Sequence, residues 1–285
     1  MTFFPDGTAC VTLAGPGEVE HLPERVWHMT EHYRPDWDEG VALATGWADF
    51  VEPKAEHLWF KSARGDGAIW LGSVVEPREF SLPVYVHSTH GRKFHHVNDS
   101  FWSDIDYDYQ SRLFVNTPRG IKFTDVRLAS QPNIVHEQDP EFQGLMPYLV
   151  PVVAERPWWF GMPEEVAWVN GQRTRLIHNT GDRKAWPTYL CKGPGVFQLP
   201  DGNGEVVFTT PNLAAGEIAL FDSDPSKKVA LSNKRSRLYR DVGAQAFRFP
   251  VPGRRSLDMK KLRVIGGNQY SSVVCRIEPK SRRPW

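Results

Sequence analysis

Several features that would assign a chemistry at once are missing from this chain. Cysteine is scarce: three in 285 residues, Cys10, Cys191 and Cys275, far apart and odd in number. No pair has the spacing of a zinc site or a disulfide framework, so they read as reduced thiols of a protein made in a cytoplasm. Neither sign of charge is in surplus. With 34 Lys and Arg against 34 Asp and Glu the formal net charge is zero, which argues against a dedicated nucleic-acid binder, because neutralising phosphates takes a basic excess. No run approaches the roughly 20 apolar residues that span a bilayer. Met1 to Glu20 lacks the basic start and apolar stretch of a signal peptide, so neither a leader nor a membrane anchor is expected. Internal repeats and low-complexity segments are absent too.

Catalytic motifs are equally thin. No G-x-S-x-G elbow exists, and Gly65-Asp66-Gly67 with Gly72 lacks the GK[ST] of a phosphate loop. His90, His95, His96 and Asp99 match no metal-ligand spacing. Asp104, Asp106 and Asp108 alternate like the start of a calcium loop, but Tyr109 stands where the loop needs glycine and Val115 where it needs glutamate. Asp36, Asp38 and Glu39, or Glu164 and Glu165, are acids close in sequence, which says nothing about a gap across a cleft. The expectation is a protein with no catalysis, no cofactor and no metal.

What is abundant points to strands and covered surfaces. Aromatics make up 12% of the chain, with 11 Trp, and bulky aromatic surface goes into cores, protein interfaces or sugar platforms. Gly and Pro number 23 each, many of them between short apolar runs, the pattern of a mainly β chain with frequent turns. In the first half, Ala9 to Leu13 reads as an edge strand or hairpin, and a short helix is possible from Pro23 within His21 to His32. Phe80, Leu82, Val84 and Val86 alternate on one face of a strand, with Pro83 marking it as an edge or a bulge. Lys93 to Asp108 is the place for a helix, and Arg112 to Thr117 with Ile121 to Leu128 forms a hairpin about Pro118-Arg119-Gly120. The boundary between two β-sandwich-like domains, 1–155 and 156–285, is expected at the Pro/aromatic break Arg156 to Pro163.

The second half centres on Thr174 to Pro211. Its strands alternate with the turn cluster His178-Asn179-Thr180-Gly181-Asp182, the break Gly193-Pro194-Gly195 and the hairpin signal Asp201-Gly202-Asn203-Gly204. Two groups of residues stay open to more than one role. Trp158, Trp159 and Phe160 are an interface anchor or sugar platform, or else the buried hinge between domains. His178, Asn179, Arg183 and Trp186 faintly match the set with which galectins clasp a sugar, at a different spacing, or serve only as a turn.

The order of these phrases carries a resemblance. The strand REFSLPVYV, the connection Val97-Asn98-Asp99-Ser100-Phe101-Trp102, the hairpin RLFVNTPRGIKFTDVRL, then Asn179-Thr180-Gly181-Asp182, a strand led by Trp186-Pro187, Gly193-Pro194-Gly195, Leu213-Ala214-Ala215-Gly216-Glu217 and the ending Arg282-Arg283-Pro284-Trp285 resemble the distal tail proteins of long-tailed phages, of the type found in phages of actinobacteria. The likeness runs from about residue 70 to the end. It implies an N-terminal domain like a tail-tube protein, with a short helix, that assembles as a ring, usually a hexamer. It implies a galectin-like, jelly-roll C-terminal domain that projects outward to dock or space. The implied partners are the tail tube, the tape-measure protein and the tail-tip protein, with DNA only in transit through the lumen. The implied place is the tip of the virion tail, and lumen-facing residues would be neutral or acidic, Asp104, Asp106 and Asp108 among them. The alternative is a carbohydrate-binding or carbohydrate-active β-sandwich protein, with Trp158, Trp159, Phe160 or Trp186 as contacts.

Overall fold

The computed structural model describes residues 9–16, 25–30, 39–44, 50, 52–62, 65–89, 91–134, 143–227, 230–243 and 245–285. The sequence also reads as loop over 34–40 and 132–144; of these, 34–38 and 135–142 lie outside the described residues, as does His90 of the metal-like group, while Glu39 and Gly40 are strand rather than loop. By contact the chain divides into two units: unit 1 comprises Met1–Trp159 and Arg282–Trp285, and unit 2 comprises Phe160–Ser281. Unit 2 is therefore an insertion near the end of unit 1 rather than a simple second half.

In unit 1 the described strands are β1 (Cys10–Ala14), β2 (Val26–His28), β3 (Glu39–Leu43), β4 (Ala55–Phe60), β5 (Ile69–Val75), β6 (Arg78–Ser88), β7 (Ser111–Thr117), β8 (Gly120–Leu128), β9 (Asn133–Ile134) and β10 (Leu145–Ala154), with helix α1 (Gly91–Ser103) after β6. The main sheet runs β2-β1-β7-β8-β10-β6-β3, with β9 on β10. Its two ends nearly meet, because Leu43 N–H at the end of β3 donates to Met29 O just past β2 at 2.7 Å. Near-closure is how an antiparallel sheet removes its exposed edges.

The inward face follows from period-2 alternation. Phe80, Leu82, Val84 and Val86 of β6 are all buried, as are Leu113 and Val115 of β7 and Val126 and Leu128 of β8. Helix α1 adds Phe94, Val97 and Phe101, spaced i, i+3 and i+7 along one face, to the same core. Three sequence expectations are corrected here. Val26–His28 is strand, not helix, paired with β1 through Thr12↔His28 and Ala14↔Val26. β1 is interior rather than an edge, since β7 pairs its other side. β6 is interior as well, between β10 and β3. Pro83 is tolerated there because the N–H and C=O of a strand residue point to the same side. The Pro83 carbonyl accepts from Ala44 N–H at 2.8 Å, so the missing N–H lies on the side of β3, one residue beyond the last paired position, Leu43↔Val84.

Arg78 joins the distant parts of unit 1. It is 2% exposed, and its guanidinium donates to Phe50 O at 2.6 Å, Pro157 O at 2.9 Å and Arg282 O at 2.8 Å. The Trp159 ring lies against it, 5.8 Å from the guanidinium carbon. Burial pulls its pKa down to about 10, against the pull of Glu52, so it remains a cation at neutral pH. A fork of donors in fixed directions suits three carbonyls at once, and an ammonium does not.

Unit 2 holds β11 (Trp159–Gly161, which starts at the boundary), β12 (Glu164–Val169), β13 (Leu176–His178), β14 (Thr188–Lys192), β15 (Val196–Pro200), β16 (Val207–Thr209), β17 (Ile218–Asp222), β18 (Ala230–Ser232), a short helix α2 (Leu238–Asp241), β19 (Ser256–Asp258), β20 (Arg263–Ile265), β21 (Ser272–Ile277) and β22 (Lys280–Ser281). One sheet runs β12-β21-β14-β17-β18; β16-β15-β20 and β13-β19 form smaller sheets. Alternate residues of both sides meet in one core: Tyr189, Cys191, Phe221, Val273 and Cys275 from the large sheet, and Ile177, Phe197, Leu199, Phe208 and Leu257 from the small ones. That is a β-sandwich, and the chain as a whole is mainly β.

The turn phrases of unit 2 are buried polar knots. Asp201 is fully buried; its Oδ1 accepts from Gly202 N–H at 2.8 Å, and its Oδ2 from Arg248 N–H at 2.7 Å and Phe249 N–H at 3.1 Å. A Cβ on Gly202 would sit 2.2 Å from Phe249 O, which is why glycine follows. Glu217 is 1% exposed and accepts from Ala214 N–H at 2.8 Å, Ser232 Oγ at 2.7 Å and Arg235 Nη2 at 2.9 Å. Burial raises its carboxyl, but the bonds from Ala214, Ser232 and Arg235 outweigh it and hold the pKa below the ordinary value.

Replacing Arg78 by Met should cost unit 1 about 3–5 kcal/mol, read by chemical denaturation, and Arg78→Lys should recover less than about half of that. Recovery of full stability by lysine would contradict the fork geometry. Glu217→Gln should cost about 2–4 kcal/mol at neutral pH. Because the folded carboxyl titrates below the unfolded one, the wild-type advantage is complete above the unfolded pKa and fades as pH falls through the folded one. Tm measured against pH should therefore converge for the two proteins in acid, and a gap that stays constant would count against this assignment.

Candidate assembly surfaces

β4 and β5 form a two-stranded hairpin of their own, with Ala55 opposite Val75 and Phe60 opposite Ile69. The register shifts between Leu58 and Trp59: Leu58 faces Gly72 and Trp59 faces Trp70, so Leu71 is the extra residue of a bulge. Nearly every large apolar side chain on it is exposed. Ile69 is 64%, Trp70 56% and Leu71 65% exposed, and Leu58, Trp59, Phe60 and Val74 are also out. Trp59-Phe60 and Ile69-Trp70-Leu71 are consecutive, so apolar groups emerge on both faces. A strand with one wet face alternates, and one that is apolar on both faces is built to be covered on both. A lone hairpin is marginally stable in water at best. At its base Glu76 N–H donates to Lys54 O at 3.1 Å, and Lys54 Nζ lies 2.9 Å from Glu76 Oε2.

No alternating hairpin is evident in the sequence here, where 52–67 reads as a mixed segment and Ala68 to Val75 as a short apolar run. The signal was there: HLWF and IWLGSVV flank a turn containing Gly65-Asp66-Gly67. The absence of alternation, which hid the hairpin, is also its most informative property.

The sequence-nominated aromatics differ in exposure. Trp159 and Phe160 are fully buried. Trp159 Nε1 donates to Phe50 O at 3.2 Å, and its ring packs 5.8 Å from that of Phe50. Trp158 and Trp186 are half-buried, and Trp186 leans on the unit 2 core. Of the galectin-like set, Asn179 is committed to the fold: it is 1% exposed, its amide donates to Arg183 O, Val251 O and Pro252 O at 2.8–3.2 Å, and its Oδ1 accepts from Gly181 N–H at 3.2 Å. His178 is exposed, with Nδ1 2.7 Å from Ser256 Oγ.

Among the described residues no group of three or more His, Cys, Asp and Glu is placed to hold a metal. Asp104, expected to face a lumen, is buried instead, bonded by Trp27 Nε1 at 2.7 Å and Arg25 Nη1 at 3.1 Å. Asp106 is half-buried and Asp108 exposed, with Asp108 N–H donating to Asp106 Oδ1 at 2.7 Å. Burial pushes the Cys275 thiol up to about 12 and Cys191 well above its ordinary value, so neither is a nucleophile. A cavity of about 380 Å³ in unit 2 is lined by Phe208, Phe221, Tyr239 and Phe247, with Asp222 and Asp224 beside them. Burial raises Asp224, but its bonds from Ser226 outweigh that and lower it, while Asp222 lies 3.2 Å from Lys227. A carboxylate held ionised, as that of Asp224 is, suits general acid work at neutral pH poorly.

No protein-family model matches this sequence, and no curated protein is recognisably similar to it. Solved structures are. The Dit protein of phage SPP1, described as a hub of the adsorption apparatus in phages infecting Gram-positive hosts, superposes with a TM-score of 0.56 at 12% identity, over 84% of this chain and 90% of that one. A chain of the phage P2 baseplate in its calcium-activated conformation gives 0.55 at 9%, over 97% and 99%, and the strontium form gives the same score and identity over 97% and 100%. These neighbours are structural components of phage tails, and what this chain shares with them is their fold.

Proposed function

We propose that this chain is a distal tail hub of a long-tailed phage, an architectural protein of the virion rather than an enzyme. The observation that carries the proposal is the β4–β5 hairpin, whose apolar faces no described residue of its own chain covers, on a fold shared with a tail hub protein and a baseplate component. In this reading unit 1 forms the ring, six copies around a lumen, with the tail tube on one side and the tail-tip protein on the other. The tape-measure protein, and later the DNA, pass through it. Unit 2 is the outward, galectin-like docking module. Trp158 and Trp186, which keep part of their surface, are its contact aromatics, while Trp159 and Phe160 belong to packing.

The carbohydrate alternative would have to do without Asn179, whose amide already holds three carbonyls. A glycan array is expected to show no saturable signal that Trp186→Ala removes; such a signal would restore that reading. The hub reading is tested by light scattering on the full chain. The wild type is expected to form a closed ring at concentrations of tens of micromolar. The double variant Trp70→Glu/Leu71→Glu is expected to be monomeric with a Tm within a degree or two of wild type, since exposed positions contribute little to the fold of the single chain. A wild type that stays monomeric, or a variant that still closes, overturns the role given to the hairpin.

A further inference from the structure

Strand β10 is apolar along its whole length, LMPYLVPVVA, in a sheet whose core lies on one side. Its Met146, Val150, Val152 and Ala154 are buried in that core, so by alternation Leu145, Pro147, Leu149, Pro151 and Val153 point the other way. On its partner β6 the buried set is Phe80, Leu82, Val84 and Val86, which turns Pro83 and Tyr85 outward. The register sets Tyr85 opposite Pro147 and Pro83 opposite Leu149, with Leu145 and Pro151 beyond them at either end. Between Ser81 and His87 the outer face of the β6–β10 pair is therefore apolar without a break. Tyr85, Leu145 and Leu149 are exposed, and Pro83, Pro147, Pro151 and Val153 half-buried.

A strand with water on one side alternates polar with apolar. β8 in the same sheet obeys that rule, with Asp125 and Arg127 at the positions between its buried Val126 and Leu128. β10 does not, and it shares this departure with the β4–β5 hairpin. Its outward residues also suit an interface. Pro83, Pro147 and Pro151 give up no rotamer freedom when covered, so a partner lying on them orders little. β6 is paired on both sides, by β10 and β3, and β10 is paired by β6 along its length and by β8 and β9 along parts of its other side. The partner of this face therefore packs on it as one sheet on another, through side chains, rather than by adding a strand.

We infer that the outer face of β6–β10 receives the β4–β5 hairpin of a second copy. This contact rests on the hub reading and gives the hairpin its receiving surface. The hairpin's apolar block, Leu58–Phe60 with Ile69–Leu71, is two strands wide and three residues long, about 10 Å. The centre of the receiving face, Pro83–Tyr85 with Pro147–Leu149, has the same dimensions. Neither block contains a charged residue. The hairpin does not cover its own β6: Glu76 and Pro77 alone separate the two elements, and both surfaces stand exposed. A contact between unlike patches is also the kind that repeats around a ring, since each copy offers one of each. Hairpin against hairpin would join two copies and leave β6–β10 bare.

Site-directed cross-linking on the full chain tests this. Cys10, Cys191 and Cys275 are buried, so a thiol placed on the surface reacts alone. Two chains, Leu71→Cys and Leu149→Cys, both changed at exposed positions, are mixed at the concentration at which wild type closes and treated with a short bismaleimide. A covalent dimer is expected from the mixture and from neither chain alone, and it should be lost when the Leu149→Cys chain also carries Tyr85→Glu. No dimer in the mixture overturns the inference. So does a dimer from Leu71→Cys alone, which would set hairpin on hairpin, or from Leu149→Cys alone, which would set face on face. By light scattering Tyr85→Glu/Leu149→Glu is expected to be monomeric with the Tm of wild type, since both positions are exposed. If that variant still closes while Trp70→Glu/Leu71→Glu does not, the receiving face is wrong and the hub reading stands. A wild type that forms no ring removes both.

Discussion

A buried guanidinium sets the terms for unit 1. The chain leaves that unit after Trp159 and returns at Arg282, so segments far apart in sequence must be held side by side. Arg78 does this by giving one donor direction each to Phe50 O, Pro157 O and Arg282 O. Apolar packing could bring these segments near one another, but it has no directionality. The fork fixes which carbonyl goes where, and without it the Pro157 and Arg282 carbonyls would lose the donor that ties them to Phe50. Trp159 closes over the same group and spends its own N–H on Phe50 O, so this aromatic of the break serves the clasp and not an open surface.

The same logic runs through unit 2, where Asn179, Asp201 and Glu217 are each nearly or fully buried and each bonded to main chain. They sit in the phrases N-T-G-D, D-G-N-G and L-A-A-G-E. Those phrases look like loop chemistry in the sequence, and two of them carry much of the resemblance. In the fold they are the points where strands are locked in position. A phrase of this kind tracks architecture because its polar residue has one set of partners that satisfies it, and those partners exist only in that fold. It says little about ligands, which is why the galectin-like reading of Asn179 did not survive the geometry.

How much of this could be read from the chain depended on whether local pattern and tertiary partner agreed. Where they agreed the strands were legible: Arg78 to Val86, the hairpin after Arg112 and helix α1 all follow from periodicity. Val26–His28 was not, because three residues have no period of their own and the neighbour β1 decides their state. Pro83 misled for the opposite reason. The rule that places proline at edges concerns its missing N–H, and β3 happens to end one residue short of it.

The β4–β5 hairpin is the place where sequence and single-chain structure are both incomplete. Every other large sheet in the molecule buries an alternating face in a core of its own unit, whereas this hairpin has apolar groups on both faces and nothing from its own chain beneath them among the described residues. Such an element is a liability in a monomer, an open edge that invites uncontrolled pairing. In the proposed ring, cyclic symmetry would remove the liability: each copy would give one hairpin and receive one, and closure would leave none uncovered. A single such contact would be weak, because association carries a large entropic cost. The last contact of a ring is intramolecular, so it forms at a high effective concentration and stabilises all the others. On the proposed hub reading, a subunit with this hairpin would be disposed toward two states, isolated or fully closed.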